Sequence, residues 1–272
     1  MTERTVLTTG ANGAIGLATV LDVAARGHRS IGTVRSQSAA RAVERAARAR
    51  GLHIETRLLD VNDVDGCVEV IESIRPDVLV NNAGYALFGA IETTPEEAAR
   101  KLIETQLFSP VRLARLALPF MRDRRWGRIL FMSSLFGRVG APPLGWYAAS
   151  KHAIEGIADV LRMEIARDGI DVIVIEPGGV QSNMLDKAQQ EGLGHEASEY
   201  AEFHQTTRRR LRQTDFLRAD PKLVSRVVVE AIEATRPEPR YLVGLDAQII
   251  GRLAPIIPSW LSDRVTRFVL RL

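Results

Sequence analysis

Cysteine is nearly absent from this chain: Cys67 is the only one in 272 residues. A disulfide framework and a four-cysteine zinc site are both excluded, and a reducing, cytoplasmic setting is expected. Long apolar runs are missing too. No stretch approaches the ~18 residues of a membrane-crossing helix, and the first residues lead into a strand-like segment, with no signal peptide expected. Lysine is scarce, four among 36 basic residues, and the formal net charge is only +3. Without a clustered patch, that surplus of base gives no argument for nucleic acid. Arg208-Arg209-Arg210 reads as a solvated helix face. His195 and His204 are nine apart, which is not a metal-ligand spacing, and no metal is expected. Internal repeats and low-complexity linkers are lacking as well.

What is present is an alternation. Short runs rich in Val, Ile and Leu occur at 5–9, 30–34, 54–59, 77–82, 128–134, 171–177 and 240–244. Helical patterns lie between them at 15–26, 38–50, 64–74, 95–123, 146–168 and 221–236. Thr94-Pro95-Glu96-Glu97 reads as a helix start with Thr94 as cap, and Asp220-Pro221 repeats the device. Gly51 and Gly169 stand where left-handed caps are expected. The pattern predicts a single α/β domain over 1–272, a doubly wound (Rossmann), mostly parallel seven-stranded sheet with helices on both faces. The polar stretch 184–219 is expected to be a substrate lid or insertion. The segment 246–272, apolar residues mixed with arginines, is expected to pack on the body or line a subunit interface, with contact to a membrane surface the least favoured option.

The first strand runs into TTGANGAIG, residues 8–16. A glycine loop between a strand and a helix is where phosphate binds, because free N–H groups and the positive helix end face it. The strict Gly-x-Gly-x-x-Gly pattern fails at Asn12, and no Walker lysine follows. Asp60-Val61 ends the third strand, and Asn82-Ala83-Gly84 follows the fourth. At the end of the second strand, Val34 fills the position where an NAD site places an acid, and Arg35 follows. A 2′-phosphate repels an acid and favours arginine, so NADP(H) is expected rather than NAD.

In WYAASKHAIEG, Tyr147 and Lys151 are four apart and share a helix face. An ammonium beside a phenol stabilises phenolate and makes the tyrosine a usable acid or base. Ile154, Ile157, Leu161 and Ile165 form the expected buried stripe.

TTGANGAIG, DV, VNNAG, ETQLFS, MSSLFG, YAASK and EPGGVQS occur in order over residues 4–183. In these motifs the chain resembles the short-chain dehydrogenase/reductase family, compact branch, and more loosely its 17β-hydroxysteroid and retinol dehydrogenase-like group. The resemblance implies that Tyr147 is the acid/base, that Lys151 lowers its pKa and holds the nicotinamide ribose, and that Ser134 binds the substrate oxygen. It implies a pyrophosphate loop of Gly10, Asn12, Gly13, Ala14, Ile15 and Gly16. Asp60 and Val61 would bracket the adenine, and Asn82 and Gly84 would lie by the adenosine ribose. Pro177, Gly178, Val180 and Ser182 would lie along the nicotinamide.

Two departures stand out. Ala14 replaces a family glycine, and Gln106 replaces an asparagine that connects the lysine to solvent through water. Glutamine keeps the amide, and Gln106 is expected to keep the role. Tyr85, Leu87, Phe88, Leu135, Phe136, Trp146, Met184 and Leu185 fall near the site by motif position. The substrate expected is therefore an uncharged, hydrophobic ketone or secondary alcohol. A homodimer or homotetramer through helices 95–123 and 146–168 is expected, and no membrane partner. The alternatives are a non-catalytic NADP(H)-binding regulator and a Rossmann-type methyltransferase, which would leave Ser134, Tyr147 and Lys151 unexplained.

Overall fold

A computed structural model of the chain describes residues 2–182, 184, 199–201, 204, 206–207, 209 and 218–270. Seven strands form one sheet: β1 Thr5–Thr8, β2 Arg29–Val34, β3 Glu55–Leu58, β4 Val78–Asn81, β5 Gly127–Met132, β6 Ile170–Pro177 and β7 Arg240–Val243. Their order is β3-β2-β1-β4-β5-β6-β7, and every pairing is parallel. β1 pairs with β2 on one side and β4 on the other, so the strand order reverses there. A crevice opens at such a switch point beyond the strand ends.

The Val-, Ile- and Leu-rich runs suit burial on both faces. Side chains alternate along a strand, and the two core layers divide accordingly. Leu79, Ile129, Phe131, Val172 and Val174 meet α3 (Val64–Ile74), α5 (Ser109–Asp123) and α6 (Gly145–Glu164). Val78, Val80, Leu130, Ile173 and Ile175 meet α1 (Ala14–Ala25) and α7 (Pro221–Glu233). α2 (Gln37–Arg48) packs beside α1 over Val34. Two helices follow β7: α8 Leu245–Leu253 and α9 Ser259–Leu270.

Several expectations change in detail. The helix expected over 95–123 is α4 (Glu96–Ile103), a π turn at Glu104–Phe108, then α5. Pro110 has no N–H to close a bond to the Gln106 carbonyl, and the Ser109 N–H reaches back to the Glu104 carbonyl. Thr94 does not cap α4; its hydroxyl donates to the Ala90 carbonyl at 2.7 Å and Pro95 takes the cap position. Asp220 does cap α7, accepting from the Lys222 N–H at 2.8 Å. Gly51 and Gly169 adopt φ +67° and +74°. Of the stripe expected on α6, Ile154 and Ile165 are buried, but Ile157 is 39% exposed. The expected excursion at 184–219 lies largely outside the described residues. Its two ends are pinned together, because Val180 bridges Ala219 and the Gln181 N–H donates to the Ala219 carbonyl at 3.0 Å.

Candidate active site

The loop after β1 is built for close approach. Gly10 sits at φ +67°, where a side chain would also press on the Ala83 backbone. A Cβ at Gly16 would overlap the Gly10 carbonyl and crowd the Asn82 amide. Gly13 is the N-cap of α1 in extended geometry and has no side-chain cap, so the first-turn N–H groups of α1 are free for an anion. Ala14 is the first helical residue, on ordinary helical backbone, and its methyl needs no glycine geometry. Asn12 and Gly13 are exposed, while Ile15 turns its side chain onto the core.

Asn82 is used by the protein itself. Its Nδ2 donates to the carbonyls of Thr9 at 2.9 Å and Gly10 at 3.3 Å, tying the end of β4 to the glycine loop. Asp60 accepts from the Asn62 N–H at 3.0 Å and is exposed. Val61 is buried, and its carbonyl accepts from Arg112 at 3.3 Å. Arg35 lies just past β2, exposed, and among the described residues its side chain makes no hydrogen bond or ion pair. All of these stand at the same, carboxyl edge of a parallel sheet. Backbone that approaches closely, open helix amides and a free guanidinium at the second strand's end together fit a phosphorylated dinucleotide.

The reactive side chains converge at the ends of β5 and β6. Ser134 follows β5; its Oγ accepts from the Phe136 N–H at 3.2 Å and donates to the Pro177 carbonyl at 3.5 Å. Tyr147, on the first turn of α6, is 6% exposed. Burial pushes its phenol up to about 12, and a hydrogen bond with Ser134 pulls the other way. Lys151 is one turn further on, its Nζ 5.5 Å from the Tyr147 ring centre and donating to the Met132 carbonyl at 2.9 Å. Burial lowers Lys151 to about 8, opposed by Glu155. Here burial raises the phenol and Ser134 opposes it; the lowering by Lys151 that the resemblance implies belongs to the proposed mechanism. The Lys151 ammonium is engaged with the Met132 carbonyl at 2.9 Å. A neutral phenol is a proton donor at neutral pH.

Gln106 sits in the π turn, 3% exposed. Its Nε2 donates to the Tyr85 carbonyl at 2.6 Å, and its Oε1 is buried with no hydrogen-bond partner. A buried acceptor left open fits a bridging water. Gly84 lies over this amide, with room for a Cβ 3.4 Å from Oε1. An apolar wall rises beside Tyr147: Phe136 meets it edge-on at 6.0 Å, and Tyr85, Leu87, Trp146 and Met184 pack around a centre of Phe88, Leu102 and Leu144. Phe88 is fully buried core, and Leu135 is buried below. Ser182 accepts from the Met184 N–H at 3.4 Å; Leu185 lies outside the described residues.

Behind the site stands a cluster that motif reading missed. Glu155 accepts from Ser133 at 2.6 Å and from Arg240 at 2.5 Å. Arg240 also reaches Glu176 at 2.9 Å, and Arg138 closes on Glu176 from the other side. One signal was available, since Glu155 is four residues after Lys151 on the same helix face.

The short chain dehydrogenase family model matches residues 4–192. 3-Ketodihydrosphingosine reductase of Bacteroides thetaiotaomicron is 28% identical over 277 residues, spanning 100% of this chain and 98% of that protein. A short-chain dehydrogenase from Streptomyces avermitilis superposes with a TM-score of 0.80 at 31% identity, over 98% of both chains. A variant actinorhodin polyketide ketoreductase solved with NADPH gives a TM-score of 0.75 at 27% identity, over 85% of this chain and 91% of that one. The chain is a member of the short-chain dehydrogenase/reductase family, and so an oxidoreductase.

Proposed function

We propose that the protein is an NADP(H)-dependent oxidoreductase that interconverts an uncharged, hydrophobic ketone and its secondary alcohol. The carrying observation is the buried Tyr147 phenol, set beside Ser134 and an apolar wall, with Lys151 one turn away. When bound, the nicotinamide would supply or accept the hydride at the carbonyl carbon. Tyr147 gives the substrate oxygen its proton in reduction and removes it in oxidation. Ser134 orients that oxygen, and the buried Lys151 holds positive charge beside it. Gln106 holds a water on its free Oε1, through which Lys151 regains a proton.

Cofactor choice rests on Arg35 as the partner of a 2′-phosphate; the NADPH of the actinorhodin ketoreductase structure supports this reading. Gly10, Asn12, Gly13, Ala14 and Gly16 would cradle the pyrophosphate. Asp60, Val61, Asn82 and Gly84 would flank the adenosine, and Pro177, Gly178, Val180 and Ser182 the nicotinamide. The substrate class rests on the apolar wall, and a keto substrate is supported by the name of the Bacteroides relative. Chain 1–272 would act as one domain; the lid expected at 184–219 lies largely outside the described residues, among which Tyr200 donates to Glu92 at 2.6 Å. A homodimer or homotetramer through the helical segments 95–123 and 146–168 accompanies this reading, since Phe108 in the π turn and Val160 and Met163 on α6 are 56%, 49% and 69% exposed.

A screen of apolar ketones with NADPH and with NADH, read at the cofactor's absorbance, tests the proposal. Turnover with NADPH is expected. Binding of NADPH without turnover of any ketone would assign the regulator role instead.

A further inference from the structure

The segment after β7 has an unusual surface. Of eighteen large apolar side chains exposed on the described surface, ten fall between Leu245 and Phe268. α8 is two-sided. Ala247 and Gly251 are buried against the body, while Leu245, Ile249 and Leu253 line the opposite face at a four-residue spacing, with Ile250 beside them. In α9, no residue from Ser259 to Phe268 is buried. Trp260 is 66% exposed and Phe268 83%. On a 3.6-residue repeat, Leu261, Val265 and Phe268 share one side of α9, and Trp260, Arg264 and Arg267 share its border.

Charge separates the possible occupants of this surface. Arg252, Arg264 and Arg267 are exposed, and among the described residues none has a carboxylate partner. Asp263 is the exposed acid of the segment; Asp246 is turned inward and accepts from the Gly179 N–H at 2.7 Å. The centre of a protein interface is depleted of charge, and unpaired arginines there would lose water without gaining partners. A lipid surface suits both features: aromatic and aliphatic side chains enter the acyl boundary, and guanidinium groups meet anionic headgroups. No helix among the described residues is long and apolar enough to cross a membrane, so attachment would be at the surface.

We propose that α8 and α9 dock on an anionic lipid bilayer, apolar side chains down and Arg252, Arg264 and Arg267 at headgroup level. This revises the expectation of no membrane partner. Docking reaches the site through α8 itself. Asp246 holds the Gly179 N–H, a side chain on Gly178 would overlap Asp246, and Arg138 donates to the Gly251 carbonyl at 3.4 Å. The helix that meets lipid on one face holds the loop after β6 with the other. An apolar ketone dissolved in the bilayer would then lie beside the pocket, a consequence that rests on the proposed function; the docking does not.

Sedimentation of the full chain with vesicles tests the docking without any turnover. Vesicles of phosphatidylcholine alone are compared with vesicles that also contain phosphatidylglycerol, at low and high salt. Wild type is expected to sediment with the anionic vesicles, and salt to release it. Trp260→Ser with Phe268→Ser should weaken partitioning at least about tenfold. Arg264→Glu with Arg267→Glu should weaken it by at least about 25-fold, about fivefold for each arginine lost. Failure of wild type to sediment, or equal sedimentation with both vesicle types, overturns the proposal, and neither result depends on a variant folding. A Phe268→Ser chain that changes oligomeric state by light scattering, with wild type indifferent to lipid, assigns the surface to a second copy. A failed ketone screen with intact vesicle binding would leave the docking standing and sink the proposed reaction alone.

Discussion

Arg240 on β7 donates to Glu155 on α6 at 2.5 Å, one helical turn past Lys151. The same guanidinium reaches Glu176 at 2.9 Å and Asp159 at 2.5 Å. Glu155 and Glu176 are both buried, so removing Arg240 leaves buried carboxylates short of partners. Arg240→Met is expected to cost about 3–5 kcal/mol in urea unfolding. Glu155→Gln should cost less but act on the site. Glu155 favours the charged form of Lys151, so its loss lowers Lys151 further, and the alkaline limb of kcat should move to lower pH. A pH profile that overlays wild type would leave Glu155 with a purely structural role.

Tyr147→Phe removes the proton donor and keeps the ring. Turnover is expected to fall by about 10²–10⁴-fold, with the NADPH dissociation constant unchanged by fluorescence titration. Burial pushes the phenol up to about 12. Tyr147 is thus protonated through neutral pH, and ketone reduction should not lose its proton donor there, whereas alcohol oxidation should quicken as pH rises. Retained turnover in the phenylalanine variant would refute the assigned acid.

Burial of Lys151 makes stability depend on pH. Its folded value is about 8 against 10.5 for an ordinary lysine. Between these pH values the unfolded chain holds a proton that the folded chain does not, so stability rises with pH across that window. Below about pH 8, burying the ammonium costs up to about 3 kcal/mol. Lys151→Met should therefore be inactive yet more stable than wild type at pH 7, by about 1–3 kcal/mol after loss of the bond to Met132. The gain should vanish above the unfolded value. Equal differences in unfolding free energy at pH 7 and pH 11 would contradict the burial argument.

The sequence made some of this legible and hid the rest for physical reasons. The central strands announced themselves as short Val/Ile/Leu runs, because burial on both sheet faces leaves few polar positions inside them, whereas the edge strand β3, Glu55–Leu58, is polar and half-exposed. Ser134, Tyr147 and Lys151 were legible because two share one helix turn and the third follows a strand. The π turn was not, since it depends on how Ser109 and Pro110 settle against Glu104 and Gln106. Nor was the Arg138–Glu176–Arg240–Glu155 cluster, whose members come from four separate segments and meet only after the sheet forms. The exposure of α9 was equally hidden, because apolar residues mixed with arginines suit packing on the body, a subunit interface or a membrane surface alike.

Gln106 holds Tyr85 through Nε2 at 2.6 Å and leaves Oε1 free. An asparagine at this position is one methylene shorter and cannot span the same gap from the same backbone. Gln106→Asn should release the loop after β4 and misplace the water acceptor, lowering kcat by up to about 10²-fold and shifting its pH profile. No change in kcat, KM or pH profile would end the case for a relay through this side chain.

Arg35 governs cofactor choice in the proposed reaction. It is exposed just past β2, with no partner among the described residues, and Ser36 behind it is committed to capping α2 through the Ala39 N–H at 3.2 Å. The guanidinium is therefore the free cation at this strand end, and a charge-assisted bond of about 1.5–3 kcal/mol to a 2′-phosphate is what it offers. Arg35→Ala should raise KM for NADPH by about 10–100-fold and leave NADH kinetics nearly unchanged. Adding Val34→Asp should repel the 2′-phosphate and offer the 2′-hydroxyl of NADH an acceptor, reversing the preference. Parallel initial rates with the two cofactors decide it. Equal losses with both would move the 2′-phosphate contact away from Arg35.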